Sequence, residues 1–171
     1  TTSSAPVTRW RSSLRWQEGD GVLHALLVHR PIDPARLLAS VEDPSHGAAL
    51  LFLGVVRDHA AGRAVRGIRY EAYEEMAAEV LVAIVAEASR LLGTDRIAVE
   101  HRVGELAVGE VSLGIAVSSP HRSEAYDASR FILEEVKRRL PVWKQERYAE
   151  GGEAWVEGVL PPAASERGLR P

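Results

Sequence analysis

Four cationic side chains in this chain stand where chemistry is possible: Arg57, His121, Arg122 and Lys144. His121 and Arg122 follow Ser119-Pro120, which reads as the N-cap and first residue of a helix. A cation in that first turn meets exposed N–H groups and the positive end of the helix dipole, and a bound anion removes the conflict. The helix start is therefore a candidate phosphate site, although an arginine there can equally point into solvent. Arg57 follows the apolar run Ala48 to Val56 and precedes Asp58 and His59, so a rigid strand delivers it to a loop. The same residues also suit a solvated loop. An arginine fork donates two parallel hydrogen bonds to phosphate, and two arginines on separate elements can grip one phosphate group.

Lys144 sits between Trp143 and Gln145 in a segment expected to alternate, with Val142, Lys144 and Glu146 on one face and Trp143 and Arg147 on the other. A lysine beside an apolar wall loses part of its ammonium's hydration, which frees the amine as a base or nucleophile. Packing of the lysine stem along tryptophan is the plainer alternative. Lys137, Arg138 and Arg139 end the preceding helix, where the dipole alone accounts for cations. Together these residues describe a cationic pocket suited to a phosphorylated substrate.

The elements that must position them follow from periodicity. Val22 to His29 reads as a strand, and Asp33-Pro34 as the N-cap and first residue of a short helix reaching Val41. Ala48 to Val56 reads as a buried central strand with Gly54 marking a bulge or close approach. Asp58 to Arg66 reads as an exposed loop, and Val65 to Tyr73 as the next strand. Ala77, Val80, Leu81, Ile84, Ala88 and Leu91 form the apolar stripe of a helix over Glu74 to Leu92, stopped by Gly93. Arg96 to Val103 and Val111 to Ser118 read as strands joined around Gly104 and Gly109. The helix from Ser119 to Leu140 follows, then short strands Val142 to Tyr148 and Ala154 to Glu157, a hairpin turned at Gly151-Gly152. Helices and directly joined strands together predict an α+β fold with a mixed, mainly antiparallel sheet, one face covered by the two long helices. Residues 1–20 lack periodicity and are expected to be a mobile or loosely docked extension, residues 21–158 the domain, and residues 159–171 a tail.

Composition narrows the function. The chain has 171 residues, 46% hydrophobic and 26% charged, the size of one domain with its own core. The formal charge of −3 leaves no global basic field for nucleic acid or a membrane surface, so a positive site must be local. The absence of a long apolar run or signal pattern leads us to expect a cytoplasmic protein. There is no cysteine, which removes disulfides, thiolate metal sites and a persulfide on this chain. His24, His29, His46, His59, His101 and His121 show no metal-ligand spacing, and neither a metal nor a resident cofactor is expected. Any sulfur handled here must arrive on another molecule.

Five blocks carry a resemblance: GVVRDH (Gly54 to His59), YEAYEEMA (Tyr70 to Ala77), HRVGELAVGE (His101 to Glu110), SSPHRSEAYDA (Ser118 to Ala128), and LPVWKQE with WVEG (Leu140 to Glu146, Trp155 to Gly158). In this order, over about Val28 to Gly158, they resemble the large, catalytic subunit family of molybdopterin synthase. The resemblance implies a hammerhead-like α/β domain with a small β-rich lobe. It implies sulfur transfer from the C-terminal Gly-Gly thiocarboxylate of a small ubiquitin-like carrier to cyclic pyranopterin monophosphate, forming the dithiolene of the molybdenum cofactor. By the same resemblance Arg57, His121 and Arg122 bind substrate, Lys137 and Lys144 are catalytic, and two large subunits pair with a carrier at each end. The loop Ala60-Ala61-Gly62-Arg63 lacks the family's Asn, and the N-terminal extension falls outside the match.

Helix length adds a constraint. Arg122 and Lys137 are 15 residues apart on the expected helix, roughly 22 Å, too far for one small substrate. A two-fold homodimer with composite sites resolves this, His121 and Arg122 of one subunit serving Arg57, Lys137 and Lys144 of the other. Two rival readings fit the same residues: an inactive scaffold subunit that only docks the carrier, and an unrelated enzyme acting on a phosphorylated metabolite without any carrier.

Overall fold

The computed structural model describes residues 15–16 and 21–156. The apolar alternation of the chain becomes two sheets. The first has the order β1-β2-β6-β8-β3, built from β1 (Arg15–Trp16), β2 (Val22–Val28), β3 (Ala48–Val55), β6 (Arg96–Arg102) and β8 (Val111–Ser119). Within it β2 and β6 run parallel and every other pair antiparallel. The second has the order β10-β9-β5-β4, with β4 (His59–Ala60), β5 (Arg63–Ala72), β9 (Val142–Tyr148) and β10 (Glu153–Val156), and β7 (Gly104–Ala107) also pairs with β5. The expected α+β class with mixed, mainly antiparallel pairing is what is observed.

Helices α2 (Glu74–Leu92) and α3 (Arg122–Arg139) cover one face of the first sheet. Leu81, Ile84 and Val85 of α2 and Ala128 and Ile132 of α3 pack there against Ile97, Val99, Ile115 and Val117. The opposite face is closed by α1 (Pro34–Ala39), whose Leu37 packs with Val28, Ile32, Ala98 and Ala116. Asp33 caps α1 as its type predicts, its Oδ1 accepting from the N–H groups of Ala35 and Arg36. Gly114 sits beneath that helix, where a Cβ would come within 2.6 Å of Leu37. A smaller core of Val56, Val65, Ile68, Leu106 and Tyr148 holds the second sheet together.

Four local expectations change. The buried central strand expected at Ala48 to Val56 is instead the outer member of its sheet, and none of Ala48–Val55 is buried, because among the described residues only β8 pairs with it. The helix expected from Ser119 begins at Arg122, with His121 as N-cap, because Ser119 pairs with Ala48 in the β-ladder and the following proline keeps it extended. The expected loop Asp58 to Arg66 is partly a hairpin: Ala61 (φ 48°) and Gly62 (φ 79°) make a tight turn between β4 and β5. Gly104–Ala107, read only as a junction, is a strand, since β5 offers it an edge. Arg15–Trp16 pairs with Leu23 and His24, while the rest of the expected extension, Glu157 and the tail lie outside the described residues.

Candidate functional site

Lys144, a site residue expected from the sequence, lies on β9. Alternation along β9 puts Lys144, Glu146 and Tyr148 on the inner face and leaves Trp143 exposed on the outer one. Trp143 is on the opposite face, as the alternation predicts, and so does not form a wall beside the lysine. Lys144 Nζ lies 3.0 Å from Oε1 of the buried Glu146, and the Tyr148 hydroxyl donates to the other carboxylate oxygen at 3.2 Å. Across the strand pair Lys144 faces Tyr70. The Tyr70 ring meets the His101 ring edge-on, 5.3 Å between centroids. Burial pulls the His101 imidazole down to about pKa 4, against the opposing effect of its hydrogen bond to the Arg102 carbonyl. A neutral imidazole is thus fixed behind the tyrosine. Behind Tyr148, the Arg63 guanidinium stacks 3.4 Å from the ring centroid.

Lys144 thus keeps a partly exposed ammonium on a strand whose neighbours are held by packing and hydrogen bonds. Glu146, Tyr70 and Tyr148 were not singled out by sequence reasoning. The period-two spacing of Lys144, Glu146 and Tyr148 was the available signal.

Lys137 is exposed in the last turn of α3. Its two neighbours are occupied: Arg138 pairs with Glu135, and Arg139 reaches Glu87 of α2 at 2.7 Å as well as Glu135 at 3.1 Å. Lys137 has no ion pair among the described residues. The dipole and these pairs account for the two arginines, and Lys137 is left available to a ligand.

At the other end of α3, His121 (φ −126°, ψ 152°) and Arg122 are exposed, and no side chain caps the helix. The backbone leading there is tightly fixed. His46 Nδ1 lies 2.7 Å from the Ser118 hydroxyl, Thr94 donates to the Ser118 carbonyl at 2.7 Å, and the Gly47 N–H reaches the Pro120 carbonyl at 3.3 Å. The buried Ser119 hydroxyl has no hydrogen-bond partner among the described residues. Glu124 shares the first turn, its carboxyl held below the usual range chiefly by the Ser123 hydroxyl. An uncapped helix start bearing two cationic side chains is equipped to take an anion.

Arg57 lies elsewhere. Gly54 and Val55 form a bulge, Val56 is buried and bonded through its N–H to the Glu110 carbonyl, and Arg57 emerges exposed beyond it. Asp58 is engaged locally with His59, 2.6 Å between Oδ1 and Nδ1, so it does not neutralise Arg57 through that contact. The ladder puts Arg57 and His121 at opposite ends of β3: Ala48 pairs with Ser119 and Val55 with Val111, seven residues or about 24 Å along the strand. One chain does not bring them to one phosphate.

Among the described residues no group of His, Asp and Glu is arranged to hold a metal ion, and no helix is long and apolar enough to cross a membrane.

The family described as MoaE protein matches residues 27–139. A molybdopterin synthase catalytic subunit 1 of Mycobacterium tuberculosis is 40% identical over 130 residues, 76% of this chain and 88% of the relative. A molybdopterin synthase catalytic subunit of Bacillus subtilis is 38% identical over 142 residues, 83% of this chain and 90% of the relative. The crystal structure of molybdopterin synthase from Staphylococcus aureus superposes with a TM-score of 0.71 at 34% identity, covering 76% of this chain and 94% of that one.

Proposed function

The chain belongs to the MoaE protein family, that of molybdopterin synthase catalytic subunits, and from that premise we propose that it moves sulfur from a carrier's thiocarboxylate to cyclic pyranopterin monophosphate. The observation that carries this reading is the placement of Lys144, an accessible ammonium on a rigid inner strand with Glu146 and Tyr70 beside it. Cleavage of the acyl–sulfur bond passes through a tetrahedral oxyanion, and a fixed ammonium stabilises that charge where it develops. The thiocarboxylate sulfur first bonds to a pterin side-chain carbon in place of an oxygen substituent; water then adds to the acyl carbon, the acyl–sulfur bond breaks, sulfur stays on the substrate as a thiolate, and the carrier leaves as a carboxylate with release of the water's protons. Lys137 serves the same centre as a second, mobile cation. His121 and Arg122 take the substrate phosphate at the start of α3, and Arg57 adds a second guanidinium from the partner subunit.

The partner chain is a small ubiquitin-like protein ending in Gly-Gly, whose lack of side chains lets an extended tail approach the strand backbone closely. The absence of cysteine fits a scheme in which sulfur arrives on that tail. The decisive experiment is single turnover of purified protein with thiocarboxylated carrier and cyclic pyranopterin monophosphate, followed by mass spectrometry of the pterin. Two sulfurs on the product support the reading. Carrier binding without product would favour an inactive scaffold, and turnover of a phosphorylated metabolite with no carrier would replace the reading altogether.

A further inference from the structure

We propose that His46 is a positioning residue of the anion site at the start of α3, holding His121 and Arg122 in place through Ser118 and Pro120. That this site takes the substrate phosphate rests on the function proposed above; the clasp that fixes it rests on contacts outside the site. The β3–β8 ladder ends at Ala48 and Ser119, and only Pro120 separates that pair from His121, the N-cap of a helix start that no side chain caps. Whatever fixes Ser118 to Pro120 therefore aims the first turn of α3 and its N–H groups. The buried Ser119 hydroxyl has no hydrogen-bond partner among the described residues, so side-chain control of this segment falls to Ser118.

The loop between α1 and β3 supplies the clasp. Asp43 anchors it: Oδ2 lies 2.7 Å from Arg96 Nη2, and Oδ1 accepts from the Ser45 N–H at 2.8 Å and from the Ser45 hydroxyl. The Asp43 carbonyl accepts the His46 N–H at 3.1 Å, closing a tight turn that presents the imidazole to β8. His46 Nδ1 lies 2.7 Å from Ser118 Oγ. A hydroxyl both donates and accepts, so this contact holds in either imidazole tautomer. Arg96 stands opposite Ser118 in the β6–β8 ladder, so the anchor and the target are neighbours on the α1 face of the sheet. The next residue, Gly47, donates its N–H to the Pro120 carbonyl at 3.3 Å, and a Cβ there would stand 3.0 Å from that oxygen. Glycine thus lets the loop backbone touch the backbone just before the helix, and a shift of residues 46–47 carries Pro120 with it.

Packing alone does not call for this arrangement. Ser118 ends a strand in which Leu113 to Val117 are apolar and buried, and an apolar residue at 118 facing an apolar one at 46 would hold strand and loop together as well. A hydrogen bond fixes direction besides proximity. Direction is what an anion site made of backbone N–H groups and cationic side chains requires, because its donors must converge on one point. The directional contacts gather on the two residues that lead into α3, Ser118 and Pro120, and Thr94 adds to them by donating to the Ser118 carbonyl at 2.7 Å. His46 needs no contact with substrate and acts through these two residues.

Binding of inorganic phosphate, followed through the backbone amide resonances of residues 121–124, needs no turnover. Wild-type protein should bind it there, and Arg122→Ala should lose it. His46→Ala and Ser118→Ala should each weaken binding about three- to tenfold, the span expected of one lost hydrogen bond. The double variant should bind no more weakly than either single one, since both remove the same contact. His46→Asn, whose amide returns a donor and an acceptor near the place of Nδ1, should recover most of the affinity. Gly67→Ala, which loosens the second sheet, should leave phosphate binding unchanged and so separates positioning from general loss of stability. Wild-type affinity in folded His46→Ala and Ser118→Ala protein, additive losses in the double variant, or an equal loss in Gly67→Ala overturns the proposal, and the phosphate reading then stands as long as Arg122→Ala still abolishes binding. Wild-type amides at 121–124 that do not respond to phosphate sink the phosphate reading, and the positioning role with it.

Discussion

Lys144 Nζ and Glu146 Oε1 lie 3.0 Å apart on the inner face of β9, and Glu146 is buried where Lys144 is partly open. The carboxylate positions the ammonium and is itself held by the Tyr148 hydroxyl. This pair joins the motif to the second sheet, because β9 is flanked by β5 and β10 and cannot shift without breaking both ladders.

Lys144→Ala should abolish product formation while costing only about 1 kcal/mol of stability, since the side chain contributes chemistry and a little stem packing. Glu146→Gln should lower kcat more than KM for the pterin, because it loosens the lysine without removing it. Near-normal turnover by purified Lys144→Ala protein would contradict the assignment.

Lys137→Ala should slow single turnover clearly and leave the melting temperature within a degree or two, as expected for an exposed residue with no ion pair among the described residues. A large loss of stability with unchanged chemistry would make Lys137 structural.

Inactive Arg122→Ala protein mixed with inactive Lys144→Ala protein should recover up to about a quarter of wild-type sites after subunit exchange, since half the dimers are mixed and each mixed dimer has one intact site. If exchange is demonstrated by mass and no activity returns, each site is built from one chain.

Acid should destabilise the fold in two stages. The His101 imidazole falls from its ordinary 6.5 to about 4, so the unfolded chain takes up a proton first and stability declines as pH drops from about 6.5 to 4. Burial alone would raise the Glu100 carboxyl, but hydrogen bonds from His24 and Arg30, with the charges of Arg30 and Arg36, bring it from 4.5 to about 2. That contribution is complete above about 4.5 and is lost as pH falls toward 2. Urea titrations between pH 7 and pH 3 measure both, and His101→Asn should flatten the upper stage.

Gly67→Ala should destabilise by about 1–3 kcal/mol, because the new Cβ would stand 2.7 Å from the Leu106 carbonyl oxygen, a backbone atom held in the β5–β7 pair. Thermal melts of the variant check this, and an unchanged midpoint would show that β7 can move away.

Local pattern alone determined much of this protein. The 3.6-residue stripe of α2 is read from Ala77, Val80, Leu81, Ile84, Ala88 and Leu91; Ala77, Leu81, Ile84 and Ala88 are buried and Val80 is half-buried, whereas Leu91, in the last turn, is exposed. The alternation of β9 put Lys144 and Glu146 on one face, as observed, and the candidate cations were recognised by type and neighbourhood. Tertiary pairing decided the rest. Ser119 has the chemistry of an N-cap, yet its bond to Ala48 in the ladder keeps it in β8 and moves the helix start to Arg122. Gly104–Ala107 became a strand because an edge of β5, more than thirty residues earlier, was there to receive it. Alternation put Lys144 and Glu146 on one face, but that their side chains meet at 3.0 Å is seen only in the folded strand. The separation of Arg57 from His121 is likewise a matter of register, since β3 and β8 run in opposite directions and carry the two residues to opposite ends of one ladder. Periodicity is a property of neighbouring residues and is written in the chain; register and edge exposure depend on which distant strand arrives alongside, and only the folded chain settles that.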